Sequence, residues 1–176
     1  LDLPANFEPG EDYEYSNTNY LLLSEVIEKV LGYSKYQYIQ EEILDPLKLN
    51  NTFASIRDVH MGDLMSGYYV GVQDDIKTAD YGSMLATAED VGIFLRALND
   101  GSLLTEEEQE IYYSVYKYEH TGLVPGYQSI AKYHQDIDAV VIQFVNTTDF
   151  EGYTWSLSEM MYSRVVKILR RQRSAL

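Results

Sequence analysis

The chain has 176 residues, enough for one sizeable core, and 45% hydrophobic with 23% charged residues is a globular composition, not a fibrous or disordered one. A formal net charge of −15 argues against a nucleic-acid partner, whose phosphates demand clustered Lys and Arg. The absence of cysteine removes thiol nucleophiles, disulfides and thiolate metal sites, and no apolar run approaches the roughly 18 residues of a membrane span.

In chain order, residues 18–31 read as an amphipathic helix, with Leu22, Leu23, Val26, Ile27, Val30 and Leu31 at helical spacing. Asn17 or Thr18 is placed to cap it, and Gly32 stands where a left-handed residue ends a helix. A second helix starts at Ser34 and stops before Pro46, turning Tyr36, Ile39, Ile43 and Leu44 inward. Residues 45–83 read as irregular, rich in Gly and Tyr, and so long a connection usually packs near a functional site.

Thr87-Ala88-Glu89-Asp90 resembles a capping box for a helix that buries Val91, Phe94, Leu95 and Leu98 and ends at Asn99-Asp100-Gly101. Thr105-Glu106-Glu107-Glu108 is a full capping box for a shorter helix. The period then changes. Tyr127–Tyr133 and Ala139–Val145 are strand-like, joined by a turn around Asp136-Ile137-Asp138. The nearly all-apolar run Ala139-Val140-Val141-Ile142 predicts a central strand covered on both faces. Residues 155–171 read as a final helix whose apolar positions are Leu157, Met160, Met161, Val165, Ile168 and Leu169. The basic residues from Arg164 to Arg173 suit the negative end of that helix, as a solvated terminus.

Two short motifs carry chemistry. Tyr15-Ser16-Asn17 stands where a loop becomes a helix. A phenol whose ionised form is favoured by a neighbouring cation can take a proton from a nucleophile and return it to a leaving group. An asparagine amide can donate to a substrate carbonyl and accept from a lysine. His120-Thr121-Gly122 lies at the end of a strand-like stretch. Glycine lets a substrate approach the backbone closely, and the next amide, that of Leu123, would then face a developing oxyanion. Either motif alone is also what a packed tyrosine with a helix cap, or a surface histidine with a turn, would look like.

Other patterns fall away. Ser114-Val115-Tyr116-Lys117 has the Ser-x-x-Lys spacing, but it follows a short helix, whereas such a nucleophile belongs at a helix N-terminus. His60, His120 and His134 have no ligand spacing, so no zinc site is expected. Asp74-Asp75 and Asp136-x-Asp138 read as turn acids.

Taken together, "PGEDYEYSN" with "NYLLLSEVIEKVLG", then "ILDPLKLNNTFAS", "GSMLATAEDVGIFLRALNDGSLLT" and "HTGLVPGYQSIAKYHQDIDAVVIQFVNTTD" resemble, in order, the serine β-lactamase and penicillin-recognising superfamily, in its class C and esterase-like branch. The resemblance implies an α+β fold, β-lactamase/transpeptidase-like, with an antiparallel sheet packed with helices. It implies acyl transfer through a serine acyl-enzyme on β-lactam, D-alanyl peptide or ester substrates, without a cofactor. Tyr15 would be the base and proton shuttle, Asn17 would contact the substrate carbonyl and the lysine, and His120, Thr121, Gly122 and the Leu123 amide would line the oxyanion wall.

In the family, the nucleophilic serine and its lysine lie upstream of this tyrosine motif. Residues 1–176 therefore read as a single partial domain, incomplete on its N-terminal side. Residues 1–115 form a mainly helical region, and 116–176 carry the strands and a last helix. Such a chain alone is expected to be inactive, and to pair with the missing segment or with a copy of itself. His120 in place of the β-lactamase lysine leans towards peptidases or esterases. The family implies a bacterial exterior or cell-surface location, with a cytoplasmic one left open. The alternative is a non-catalytic relative that binds cell-wall peptide or a partner.

Overall fold

The computed structural model describes residues 4–115 and 119–174. The chain divides into two compact bodies, residues 1–42 and 43–176.

The first body is built on two helices, α1 (Asn17–Leu31) and α2 (Lys35–Ile39). The cap of α1 is Ser16, not Asn17 or Thr18 as expected. Ser16 holds an extended backbone and its side chain accepts from the Thr18 amide. A serine hydroxyl on a short stem reaches that amide readily, and this leaves the Asn17 side chain for other work. Gly32 ends the helix at φ 77 and sends its N–H to the Glu28 carbonyl at 2.9 Å. Lys35 ties α2 to α1, through its amide to Glu28 and its Nζ to Ser24 Oγ at 2.6 Å. The expected inward face of α1 is corrected: none of its residues is buried, and Leu22, Leu23, Val26, Ile27 and Val30 are exposed.

A π turn (Gln40–Leu44) leads to α3 (Asp45–Leu47). The expected stop before Pro46 therefore moves to Lys48. Proline in a first helical turn lacks only an N–H that no carbonyl there requires. Leu44 is buried and Tyr36, Ile39 and Ile43 are partly covered, as their spacing foretold.

The second body centres on a three-stranded antiparallel sheet, β4 (Glu119–Val124), β5 (Tyr127–His134) and β6 (Ala139–Val145), in that order. Before it come β1 (Thr52–Phe53), β2 (Tyr68–Tyr69) and β3 (Leu85–Ala86); with α3, β1 and β2 inside them, residues 45–83 are less irregular than their composition implied. β1 pairs with β3, and β2 pairs in parallel with β7 (Thr147–Thr148). Helix α4 (Ala88–Asp100) covers one face of the sheet and α6 (Thr154–Arg173) the other, with α5 (Glu106–Val115) between α4 and β4 in sequence. Alternation along the strands sorts the two layers. Tyr133 and Ile142 turn to α4, while Ile130, Val141 and Gln143 turn to α6, where they meet Tyr162, Val166 and Ser158.

Three expectations change here. Asp90 is not a capping-box partner. Thr87 Oγ1 does accept from the Asp90 amide, but the Asp90 carboxyl reaches across to the Asn51 amide at 2.8 Å and the Thr52 hydroxyl at 2.9 Å. At Thr105 the full box forms, with the Thr105 amide and hydroxyl both donating to Glu108. Among the described residues β6 is covered on both faces but is the last strand of the sheet rather than a central one. On α6 the apolar residues named from periodicity are mostly the wrong ones. Ser158, Tyr162 and Val166 are buried against the sheet with Trp155 and Leu169 partly covered beside them, while Leu157, Met160, Met161, Val165 and Ile168 are exposed.

The β5–β6 turn is fastened by charge. Arg96 of α4 bridges Asp138 and Asp100, and the Tyr133 hydroxyl donates to Asp138 at 2.8 Å. Arg170 pairs with Asp136, and Arg173 donates to the Ile137 carbonyl, so the basic end of α6 is engaged rather than simply solvated. The Arg96 hydrogen bond, then that of Tyr133, holds the Asp138 carboxyl below its ordinary value of 3.8. A depressed folded-state value stabilises the fold above that ordinary value and loses the contribution as pH falls through the lowered one. Asp138→Asn should therefore flatten the acid limb of a stability curve below about pH 4. A melting-temperature series from pH 7 to pH 2 checks this, and an unchanged acid limb would contradict it.

Candidate functional site

At the mouth of α1, the extended backbone of Ser16 places Tyr15 and Asn17 on one side of the helix start. The Tyr15 hydroxyl donates to Asn17 Oδ1 at 2.9 Å. This fixes the amide so that its Nδ2 protons look away from the ring. Tyr15 is exposed, its ring tilted on Tyr20 at 5.7 Å between centroids.

In the second body, His120, Thr121, Gly122 and Leu123 lie along β4 in the order the sequence implied. Pro125-Gly126 makes a two-residue turn with Gly126 at φ 87, and Val124 faces Tyr127 across it. A two-residue turn closes on a hydrogen-bonded pair, and the bonding alternates from there. Gly122 is thus bonded to Ser129, whereas the amides of Thr121 and Leu123 point to the outer edge of β4. Among the described residues no strand pairs with that edge. The side chains divide: His120 leaves the α4 face of the sheet, while Thr121 and Leu123 leave the α6 face.

Glycine at 122 has a local cause. A Cβ there would stand 2.7 Å from Ser129 Oγ, so the hydroxyl of the neighbouring strand occupies the place a side chain would need. Ser129 escaped the sequence reading. Its signal was the Pro125-Gly126 turn, which fixes the register that brings 129 opposite 122.

Three tyrosines, Tyr68, Tyr81 and Tyr127, gather at the tip of this hairpin. Tyr127 donates to the Met65 carbonyl at 2.6 Å and Tyr81 to the Pro125 carbonyl at 2.9 Å, with Tyr68 nearby. Tyr69 instead meets Phe150 edge to face. Burial, then the charge of Asp75, pushes the Tyr127 phenol up from its ordinary value. Asp75 itself is held low by Ser66 and by the Gly67 and Lys77 amides, and so is a turn acid as read. Thr148, wholly buried, accepts from the Gly126 amide at 2.7 Å and donates to the Val124 carbonyl at 3.4 Å. Ser114 sits in the last turn of α5, its hydroxyl spent on the Ile111 carbonyl, and Lys117 lies outside the described residues. No helix is long and apolar enough to cross a membrane among the described residues.

These elements define an α+β fold of the β-lactamase/transpeptidase type. The beta-lactamase family profile matches residues 1–122, and the chain belongs to that family. It is 37% identical over 49 residues to a putative D-alanyl-D-alanine carboxypeptidase of Escherichia coli (strain K12), a match covering 28% of this chain and 11% of that protein. Among solved structures it resembles the D-amino acid amidase from Ochrobactrum anthropi SV3 complexed with L-phenylalanine amide. The TM-score is 0.79 at 20% identity, over 95% of this chain and 60% of the amidase. It also resembles a penicillin-binding protein from Bacillus halodurans, with TM-score 0.72 and 16% identity over 96% of this chain and 59% of that one. The chain thus spans about three fifths of these solved relatives, and the latter two likenesses concern the fold alone.

Proposed function

We propose that this chain belongs to a serine hydrolase that transfers or hydrolyses acyl groups of D-alanyl peptides, D-amino acid amides, β-lactams or small esters, outside a bacterial cell or on its surface. Tyr15 serves as base and proton shuttle, and Asn17 binds the substrate carbonyl. His120, Thr121 and Gly122 form one wall of the site, and the Leu123 amide is one of its oxyanion donors. The observation that carries the reading is the outward aim of the Leu123 amide from an unpaired strand edge beside a glycine. A donor so placed is fixed before substrate arrives, which is the condition for electrostatic stabilisation of a tetrahedral intermediate. The hydrogen bond between Tyr15 and Asn17 supports the other half, since it orients a phenol at a helix mouth, where developing negative charge is favoured. The names of the relatives support the substrate classes.

On this reading the nucleophile is not Ser114. The 176-residue chain by itself should leave nitrocefin and p-nitrophenyl acetate intact, and Ser114→Ala should change nothing. The protein as its gene encodes it should form a covalent adduct with a fluorescent penicillin or turn over a D-alanyl-D-alanine peptide. Robust turnover by the 176 residues that Ser114→Ala abolishes would overturn the assignment, as would an active protein indifferent to changes at Tyr15.

A further inference from the structure

The tip of the β4–β5 hairpin is gripped by residues 65–77. Tyr127 donates its hydroxyl to the Met65 carbonyl, and its ring lies so close on Gly67 that a Cβ there would stand 2.6 Å from the ring Cζ. Ile76 covers Gly126 in the same way. A Cβ on Gly126 would meet Ile76 Cδ1 at 2.7 Å and the Gly67 Cα at 3.3 Å. One glycine in each segment thus lets the two backbones approach more closely than any side chain between them would allow.

Residues 65–77 keep this shape through one carboxylate. Asp75 Oδ1 accepts from the Gly67 amide at 3.0 Å and from the Lys77 amide at 2.9 Å, and the Ser66 side chain bonds to the same carboxyl. The Gly67 carbonyl accepts from the Ile76 amide at 2.9 Å. Both backbone groups of Gly67 therefore end on residues 75 and 76. The two contacts with the tip, Gly67 under Tyr127 and Ile76 against Gly126, are joined at their root. On the other side of the tip, the Leu123 peptide lies between two bonded pairs, Gly122 with Ser129 and Val124 with Tyr127. The first pair is inside the sheet. The second ends the ladder and takes its position from the grip on Tyr127.

We infer that Asp75 is a positioning residue for the reaction: by closing residues 65–77 it holds Tyr127 and Gly126, and through them the Leu123 amide, where the oxyanion forms. The inference rests on the hydrolase reading above, in which that amide is an oxyanion donor. Such a donor acts on the transition state more than on bound substrate, so misplacing it lowers kcat and spares KM. A displacement on the order of 1 Å can cost about 100-fold. The grip needs the acceptor oxygen and not its charge, since both amides end on Oδ1.

In the protein as its gene encodes it, Asp75→Ala should lower kcat per labelled active site about 10- to 100-fold, with KM within about threefold. The carbonyl stretch of the acyl-enzyme formed with a penicillin should rise in frequency, as a weakened hydrogen bond requires. Counting sites by covalent label separates this from loss of folded protein, which lowers the number of sites and not the rate at each. Asp75→Asn keeps an oxygen at Oδ1 and should restore both readouts. The Gly126 amide, which donates to Thr148, should exchange at least about tenfold faster in the alanine variant and at its original rate in the asparagine variant. An alanine variant with kcat and carbonyl frequency unchanged would overturn the inference. So would an asparagine variant as impaired as the alanine one, which would make the charge of Asp75 the working part. Unchanged exchange at Gly126 would overturn it whether or not the protein is active. A protein that neither labels nor turns over would instead sink the hydrolase reading, and the catalytic role of Asp75 with it.

Discussion

Asp90→Ala should lower the stability of the fold by about 2–3 kcal/mol. The carboxyl is 4% exposed and takes two donors from the chain nearly forty residues earlier, the Asn51 amide and the Thr52 hydroxyl. Alanine strands both of these part-buried donors, and a fully buried donor without an acceptor costs about 1–3 kcal/mol. The α4 cap itself is untouched, because the Asp90 amide still donates to Thr87 Oγ1. Asp90→Asn keeps one oxygen in place and should cost about half as much. Urea unfolding at pH 7 measures both. A loss under 1 kcal/mol for the alanine would mean that Asn51 and Thr52 find other partners.

Tyr15→Phe should lower kcat 10²–10⁴-fold in the active protein with KM nearly unchanged, the range over which a positioned acid–base group acts. The substitution removes one atom, the hydroxyl that donates to Asn17 Oδ1. It leaves the ring against Tyr20 and leaves the Ser16 cap intact, so α1 should form as before. A tyrosine that merely packed would give a small change shared between kcat and KM. Asn17→Ala should instead raise KM as well, since the amide is assigned to the substrate carbonyl. A kcat loss below tenfold for Tyr15→Phe would remove the proton shuttle from the reading.

How far the fold was legible depended on whether the deciding contact was local. The helix from Ala88 to Asp100 was plain because Thr87 and Gly101 punctuate it within reach of the residues they cap. The burial of α6 was not. Its apolar residues spread over more than half the circumference, and periodicity cannot say which part the sheet will take when that part contains Ser158 and Tyr162. The same holds for β6, whose composition announces coverage but not how many strands lie beside it. Of the candidate site, the placement of Tyr15 and Asn17 at a helix mouth was legible from the motif, whereas the hydrogen bond between their side chains was not anticipated. Ser129 was not, because its place over Gly122 exists only once strand register is known.

Thr148 gives the His-Thr-Gly strand an unexpected governor. Its hydroxyl clasps both ends of the Pro125-Gly126 turn from a position the proposed chemistry never visits. A change at Thr148 would therefore be felt in the backbone that leads out of the tripeptide, without altering any of its three letters.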